Sequence, residues 1–279
     1  MKKRLAIITS GGGMKCCWGA GVLLALKNKF AITNPDFLIS ASGSAGTSAY
    51  YLAKQYKDIK RIWTSGIVKK KAINPLRFWK VIDVNYVIDE IFKKEEPLDA
   101  KKVCQSKTIL LTPCISRDTG AIKYFTNKDK IDIFEMLRAT KAIPIAFQMN
   151  PKVMIKNKAY CDSKLTSEGV THLKKAVELG AKRIIVIDSD FPTIQHRIRD
   201  FLSEMWLDFQ GSPFRYTYYD AERKARLYTV PKDVEVIIIT PTTKPGIRIL
   251  VTNKKVLTES FNLGYQETVD NKELEKFLK

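Results

Sequence analysis

The sequence predicts an α/β layered fold with a mainly parallel sheet, and three observations carry that prediction. Short apolar runs rich in β-branched residues recur along the chain. Segments with helical spacing alternate with them. Small-residue turns join the first two such runs to the segments that follow, at Ser10–Gly13 and at Ser40–Gly46.

Taken in order, Leu5–Thr9 reads as a buried strand that ends in glycines. Residues Trp18 to Lys27 carry Val22, Leu23 and Leu26 on one side of a helix. Phe37–Ser40 reads as a second strand, followed by a helix from about Ser44 to Gln55. Thr108–Thr112 and Ile122–Phe125 flank Asp118-Thr119-Gly120, the pattern of a hairpin. Ile131 to Ala139 is helical and Lys158–Cys161 is a short strand. Val170 to Leu179 is a helix closed by Gly180. Arg183–Asp188 and Val234–Thr240 read as buried strands. With no repeat and no Pro/Gly-rich linker, the expectation is one domain over residues 4–230. Residues 231–279 are expected to form a strand and helix extension packed on it.

The 279 residues are 45% hydrophobic and 28% charged, enough for a sizeable core. The 48 Lys+Arg against 29 Asp+Glu give +19, a field that attracts polyanions such as nucleic acid or an anionic lipid surface. No nucleic-acid module is recognisable, so peripheral contact with an anionic membrane is the expectation attached to that charge. The five cysteines, Cys16, Cys17, Cys104, Cys114 and Cys161, lack metal-knuckle spacing and read as reduced thiols. The apolar run behind Met1-Lys2-Lys3-Arg4 is too short for an export signal, and no run approaches a membrane span. The expected location is therefore cytoplasmic, with peripheral contact at the inner membrane surface.

Three constellations carry chemistry. Gly11, Gly12, Gly13, Met14 and Lys15 lie between a strand and a helix, where unpaired N–H groups bind an anion or a developing oxyanion. Neither a dinucleotide fingerprint nor a P-loop fits their spacing. Ser40-Ala-Ser42-Gly-Ser44-Ala-Gly46 is close to a G-x-S-x-G nucleophile elbow centred on Ser44. Ser40 and Ser42 compete with Ser44, but neither has glycine two residues later. Asp162 follows a strand and is a candidate base, because a serine hydroxyl needs one. Both histidines, His172 and His196, sit in Lys/Arg-rich helices rather than loops. An Asp with a tuned pKa removes the need for either.

These residues together resemble the patatin-like phospholipase family. Gly11-Gly12-Gly13-Met14-Lys15 with Gly21-Val22-Leu23 is similar to its oxyanion loop and following helix. Ser42-Gly43-Ser44-Ala45-Gly46 is similar to its elbow, and Arg138 to Pro144 to the segment before its acid. Tyr160-Cys161-Asp162 is similar to the strand that carries the acid, and Asp118-Thr119-Gly120 before Tyr124-Phe125 to its hairpin. The resemblance implies a three-layer α/β/α fold and a serine acyl-ester hydrolase acting on phospholipid or lysophospholipid-type lipids. It implies Ser44 as nucleophile, Asp162 as base, and Gly11, Gly12, Gly13 and Met14 as the oxyanion loop. Lys15 is then placed to hold a head group, and no metal or organic cofactor is implied. Cys16, Ser42, and the pair Ser163 and Lys164 depart from the family pattern. Those departures support an alternative, a catalytically weak lipid-binding protein of the same fold.

Two further segments bear on lipid contact. A helical stripe runs through Ile194, Ile198, Phe201, Leu202, Met205, Trp206 and Phe209. Lys69-Lys70-Lys71 and Leu76-Arg77-Phe78-Trp79-Lys80 form a basic, aromatic stretch suited to a lid or a lipid-contact element.

Overall fold

The computed structural model describes residues 3–77, 79–163, 168–189, 204–243 and 246–279. Five strands form a parallel sheet: β1 (Leu5–Thr9), β2 (Phe37–Ser40), β3 (Ile109–Ser116), β7 (Arg183–Ile187) and β8 (Glu235–Ile239), in the order β3-β2-β1-β7-β8. Three antiparallel strands extend it beyond β3: β4 (Ile122–Thr126), β5 (Val153–Ile155) and β6 (Lys158–Asp162). Side chains alternate across a strand, so β1 sends Ile7 into one core and Ala6 and Ile8 into another. Helices cover both faces. On the Ile7 face lie α1 (Cys16–Phe30) and α2 (Gly43–Leu52). On the Ile8 face lies α7 (Glu168–Glu178), with Leu173, Ala176 and Val177 against the sheet. This is the three-layer α/β/α arrangement.

The remaining helices are α3 (Tyr56–Arg61), α4 (Val84–Tyr86), α5 (Ala100–Gln105), α6 (Ile133–Lys141), α8 (Ser212–Arg226), α9 (Lys254–Val269) and α10 (Lys272–Leu278). Wider π-type turns continue α3 through Ile62–Gly66 and α4 through Val87–Glu95. Helix α6 matters most for the site. The Asp132 carboxylate caps it by accepting from the Phe134 N–H at 2.8 Å. It ends at Lys141, ahead of Ile143 and Pro144, because the residue before a proline is pushed out of helical conformation.

Residues 231–279 supply the edge strand β8 and the helix α9, which packs along α1. That packing is very close at two glycines. A Cβ on Gly21 would lie 2.0 Å from the Phe261 carbonyl oxygen, and one on Gly264 would lie 2.2 Å from that of Trp18. Any side chain at either position forces α1 and α9 apart.

Strand β3 sets the geometry of the site. Leu111 pairs with Ile39 of β2 and with Thr126 of β4, on opposite edges. Cys114 pairs with Lys123 of β4 and with Asp162 of β6. Strands β2 and β6 therefore share the edge of β3 that β4 leaves open. Strand β2 runs parallel to β3 and β6 antiparallel, so their C-terminal ends point at each other across Thr112 and Pro113. Ser42 follows the end of one and Asp162 ends the other.

One expectation needs correction here. The turn after β2 falls at Ser42, and Ser44 is the second residue of α2. The shift arises because β2 stops pairing at Ser40 and helical bonding begins with the Ser44 N–H on the Ala41 carbonyl. Lys15, which the resemblance places to hold a head group, is buried at 3% exposure. In the apolar stripe, Trp206 is buried against Ile115 and Phe214, while Met205 and Phe209 are exposed. Ile194, Ile198, Phe201, Leu202, His196, Lys164 and Phe78 lie outside the described residues.

Candidate active site

Ser42 has φ 51° and ψ −122°, a conformation that costs an L-residue about 1–3 kcal/mol. Strain of this kind at a strand-to-helix turn is the mark of a nucleophile elbow. Both backbone groups of Ser42 are held by α6. Its N–H donates to the Thr140 hydroxyl at 3.2 Å, and its carbonyl accepts from the Lys141 ammonium at 2.7 Å. The Thr140 hydroxyl in turn donates to the Pro113 carbonyl at 2.9 Å, which ties the turn to β3.

Ser44 is placed differently. Its hydroxyl donates to the Ser10 carbonyl at 2.7 Å, fastening the start of α2 to the end of β1. Behind it, the hydroxyls of Thr9, Ser40 and Ser48 form a buried chain at 2.7 and 2.6 Å. Of these serines, Ser42 is the one that lines the adjoining cleft.

The glycine loop touches the elbow. A Cβ on Gly43 would lie 2.9 Å from the Gly13 carbonyl oxygen and 3.0 Å from the Cys16 sulfur. Gly12 has φ 156° and Gly13 φ 58°, so the turn at Gly13 uses the left-handed region that glycine favours. The N–H groups of Gly12 and Gly13 donate to no described residue. The Met14 N–H is engaged: it donates to the Ile249 carbonyl at 3.0 Å. The segment around Ile249 thus lies over the glycine loop, and Met14 offers no open donor in this arrangement.

Asp162 is fully buried, and its N–H donates to the Ala142 carbonyl at 3.0 Å, next to Lys141. Cys114 and Cys161 beside it are also fully buried. Burial and the nearby Asp162 charge push the Cys114 thiol well up, and burial pushes Cys161 up to about 12, so both stay protonated. His172 is elsewhere. It lies on α7, with Nδ1 2.8 Å from the Tyr124 hydroxyl of β4.

Sequence reasoning missed two contributors. Lys141 is 8% exposed, and burial pushes its amine down to about 8 against the raising influence of Cys16 and Asp162. The sequence reading includes this lysine only as one residue of the segment Arg138 to Pro144 and gives it no role. Ile249 reaches the glycine loop from far along the chain, which no local pattern records.

Ser42, Lys141, Gly13 and Ile249 meet in one cleft of about 490 Å³, open mouth included. Trp63, Ile67, Val84, Val87 and Ile143 give it an apolar wall. A strained serine, a buried carboxylate, unengaged N–H groups and an apolar wall are the parts needed for acyl transfer.

The family model for patatin-like phospholipases matches residues 7–168. Among solved structures, the chain is similar to VipD from Legionella pneumophila. The TM-score is 0.53 at 13% identity, over 99% of this chain and 67% of that one, a likeness of fold. No curated protein matches the chain. No helix among the described residues is long and apolar enough to cross a membrane. Because the family model spans more than half of the sequence and the elbow, glycine loop and Asp162 all fall inside it, the chain belongs to the patatin-like phospholipase family, with lipid acyl hydrolysis as its general activity.

Proposed function

We propose that the cleft hydrolyses acyl esters of phospholipid or lysophospholipid type, with Ser42 as nucleophile and Asp162 as base. The observation that carries the choice of Ser42 over Ser44 is the strained turn at Ser42, a residue that lines the cleft. The hydroxyl oxygen of Ser42 attacks the ester carbonyl carbon, and its proton passes to Asp162. The N–H groups of Gly12 and Gly13 stabilise the tetrahedral oxyanion; loss of one such donor typically costs about a hundredfold in rate. Collapse breaks the acyl C–O bond, and Asp162 returns the proton to the leaving alcohol. Water then attacks the acyl-serine as Asp162 takes its proton, and collapse returns that proton to the Ser42 oxygen and releases a carboxylic acid. The apolar wall on Trp63, Ile67 and Val87 fits the acyl chain.

Turnover of p-nitrophenyl esters tests this. Ser42→Ala and Asp162→Asn are each expected to lower it by about a thousandfold or more, while Ser44→Ala keeps most of it. Full turnover in Ser42→Ala would remove the assignment. One observation favours a second reading, a lipid-binding protein with little turnover: Ile249 occupies the Met14 N–H over the glycine loop. In that case wild-type protein binds acyl lipid without hydrolysing it.

A further inference from the structure

Lys141 is a buried cation that holds the carbonyl side of the strained turn and lines the cleft as well. It is the last residue of α6 and is 8% exposed. Its ammonium donates to the carbonyls of Ser42 at 2.7 Å and Gly43 at 3.1 Å. An ammonium has three donors, and the third meets no acceptor among the described residues. Lys141 also lines the cleft, between an otherwise apolar wall and the strained serine. The groups that face it are the Asp162 carboxyl from β6, the Cys16 thiol from α1 and the Phe92 ring, 5.9 Å away. Two carbonyls take two of its donors, which leaves the third for a ligand in the cleft that Lys141 lines.

We propose that Lys141 makes the elbow end of the cleft a carboxylate-binding site, whose ligand is an ionised long-chain fatty acid. The inference rests on the hydrolase reading for the origin of that ligand, the reaction's acyl product, and for the choice of a carboxylate over a phosphate. The apolar wall takes the chain and Lys141 takes the charged end. A carboxylate fits better than a phosphate, because the ammonium bonds to the residue that holds the acyl carbonyl carbon. In a phospholipid the phosphate lies several bonds further out. Asp162, at the same end, repels a second anion, and Lys141 offsets that repulsion. The open N–H groups of Gly12 and Gly13 lie on the adjoining loop and add donors.

The test is calorimetric binding of decanoate and decanol, below micellar concentration, to the full chain. Wild-type protein is expected to bind decanoate about tenfold or more tighter than decanol at about pH 7. Lys141→Met is expected to lose that preference and keep its decanol affinity. Lys141→Gln, which keeps N–H donors for the Ser42 and Gly43 carbonyls but carries no charge, is expected to lose it too. Without any variant, the wild-type preference is expected to shrink as pH rises past about 8, where the Lys141 amine gives up its proton. Equal affinity for the two ligands, binding of neither, or a preference retained in Lys141→Gln or at high pH would overturn the site. Turnover is not read, so the two ideas fail separately. Ester hydrolysis with no decanoate preference removes only the carboxylate site. A Lys141-dependent preference in a protein that hydrolyses nothing removes only the hydrolase.

Discussion

The Ser42 N–H donates to the Thr140 hydroxyl at 3.2 Å while the Ser42 carbonyl accepts from Lys141 at 2.7 Å, so consecutive residues of α6 hold both sides of one strained turn. Thr140 also reaches the Pro113 carbonyl on β3, the strand against which Asp162 is registered. One helix end therefore sets the spacing between the proposed nucleophile and its proposed base.

Thr140→Val keeps the shape of that residue and removes its hydroxyl. A buried donor and a buried acceptor are left without a partner, at about 1–3 kcal/mol. Chemical denaturation is expected to show that loss. Ester kinetics are expected to show a lower kcat with KM little changed, because the turn and not the cleft wall is loosened. An unchanged kcat would mean that the hydroxyl does not hold the turn.

His172 is fully buried, and burial pushes its pKa down from 6.5 to about 4. The unfolded chain takes up a proton below about pH 6.5, and the folded chain resists it until about 4. The contribution of His172 is therefore complete above about 6.5 and is lost as pH falls through that window, about 3 kcal/mol in all. His172→Phe is expected to flatten this part of the acid profile while keeping ester turnover at neutral pH. Loss of turnover with the fold intact would return a histidine to the mechanism.

The +19 charge and the loop beside the cleft make an anionic lipid surface the expected partner. An antiparallel bridge between Ile73 and Ile82 closes that loop, and both residues line the cleft. Leu76 and Trp79 project from it at 87% and 60% exposure, with Lys70 and Lys71 exposed nearby. Co-sedimentation with vesicles is expected to rise with anionic lipid and to fall with salt. The double variant Leu76→Ser, Trp79→Ala is expected to bind several-fold less. Equal binding to neutral vesicles would reduce the charge to a matter of composition.

The layered fold was legible because its strands are dense β-branched runs and its helices keep their period. The hairpin at Asp118-Thr119-Gly120 and the stop at Gly180 follow from local chemistry alone, and both form. The position of the elbow was less legible. Ser40, Ser42 and Ser44 alternate with small residues, and the glycine at position 46 favours Ser44 as the centre. Where the turn falls is decided by where β2 stops pairing with β1, a tertiary quantity. Lys141 and Ile249 were illegible for the same reason: the burial of one and the reach of the other exist only once β3, α6 and the C-terminal segment have assembled.

The most direct test is to label the protein with a fluorophosphonate and locate the adduct by fragmenting the peptide that holds both serines. Gly43 separates them, so a single fragment-ion step distinguishes the two sites. The expected result is an adduct on Ser42, lost in Ser42→Ala and kept in Ser44→Ala. An adduct on Ser44 would contradict the strained turn as the seat of the nucleophile and restore the assignment that the glycine pattern favours.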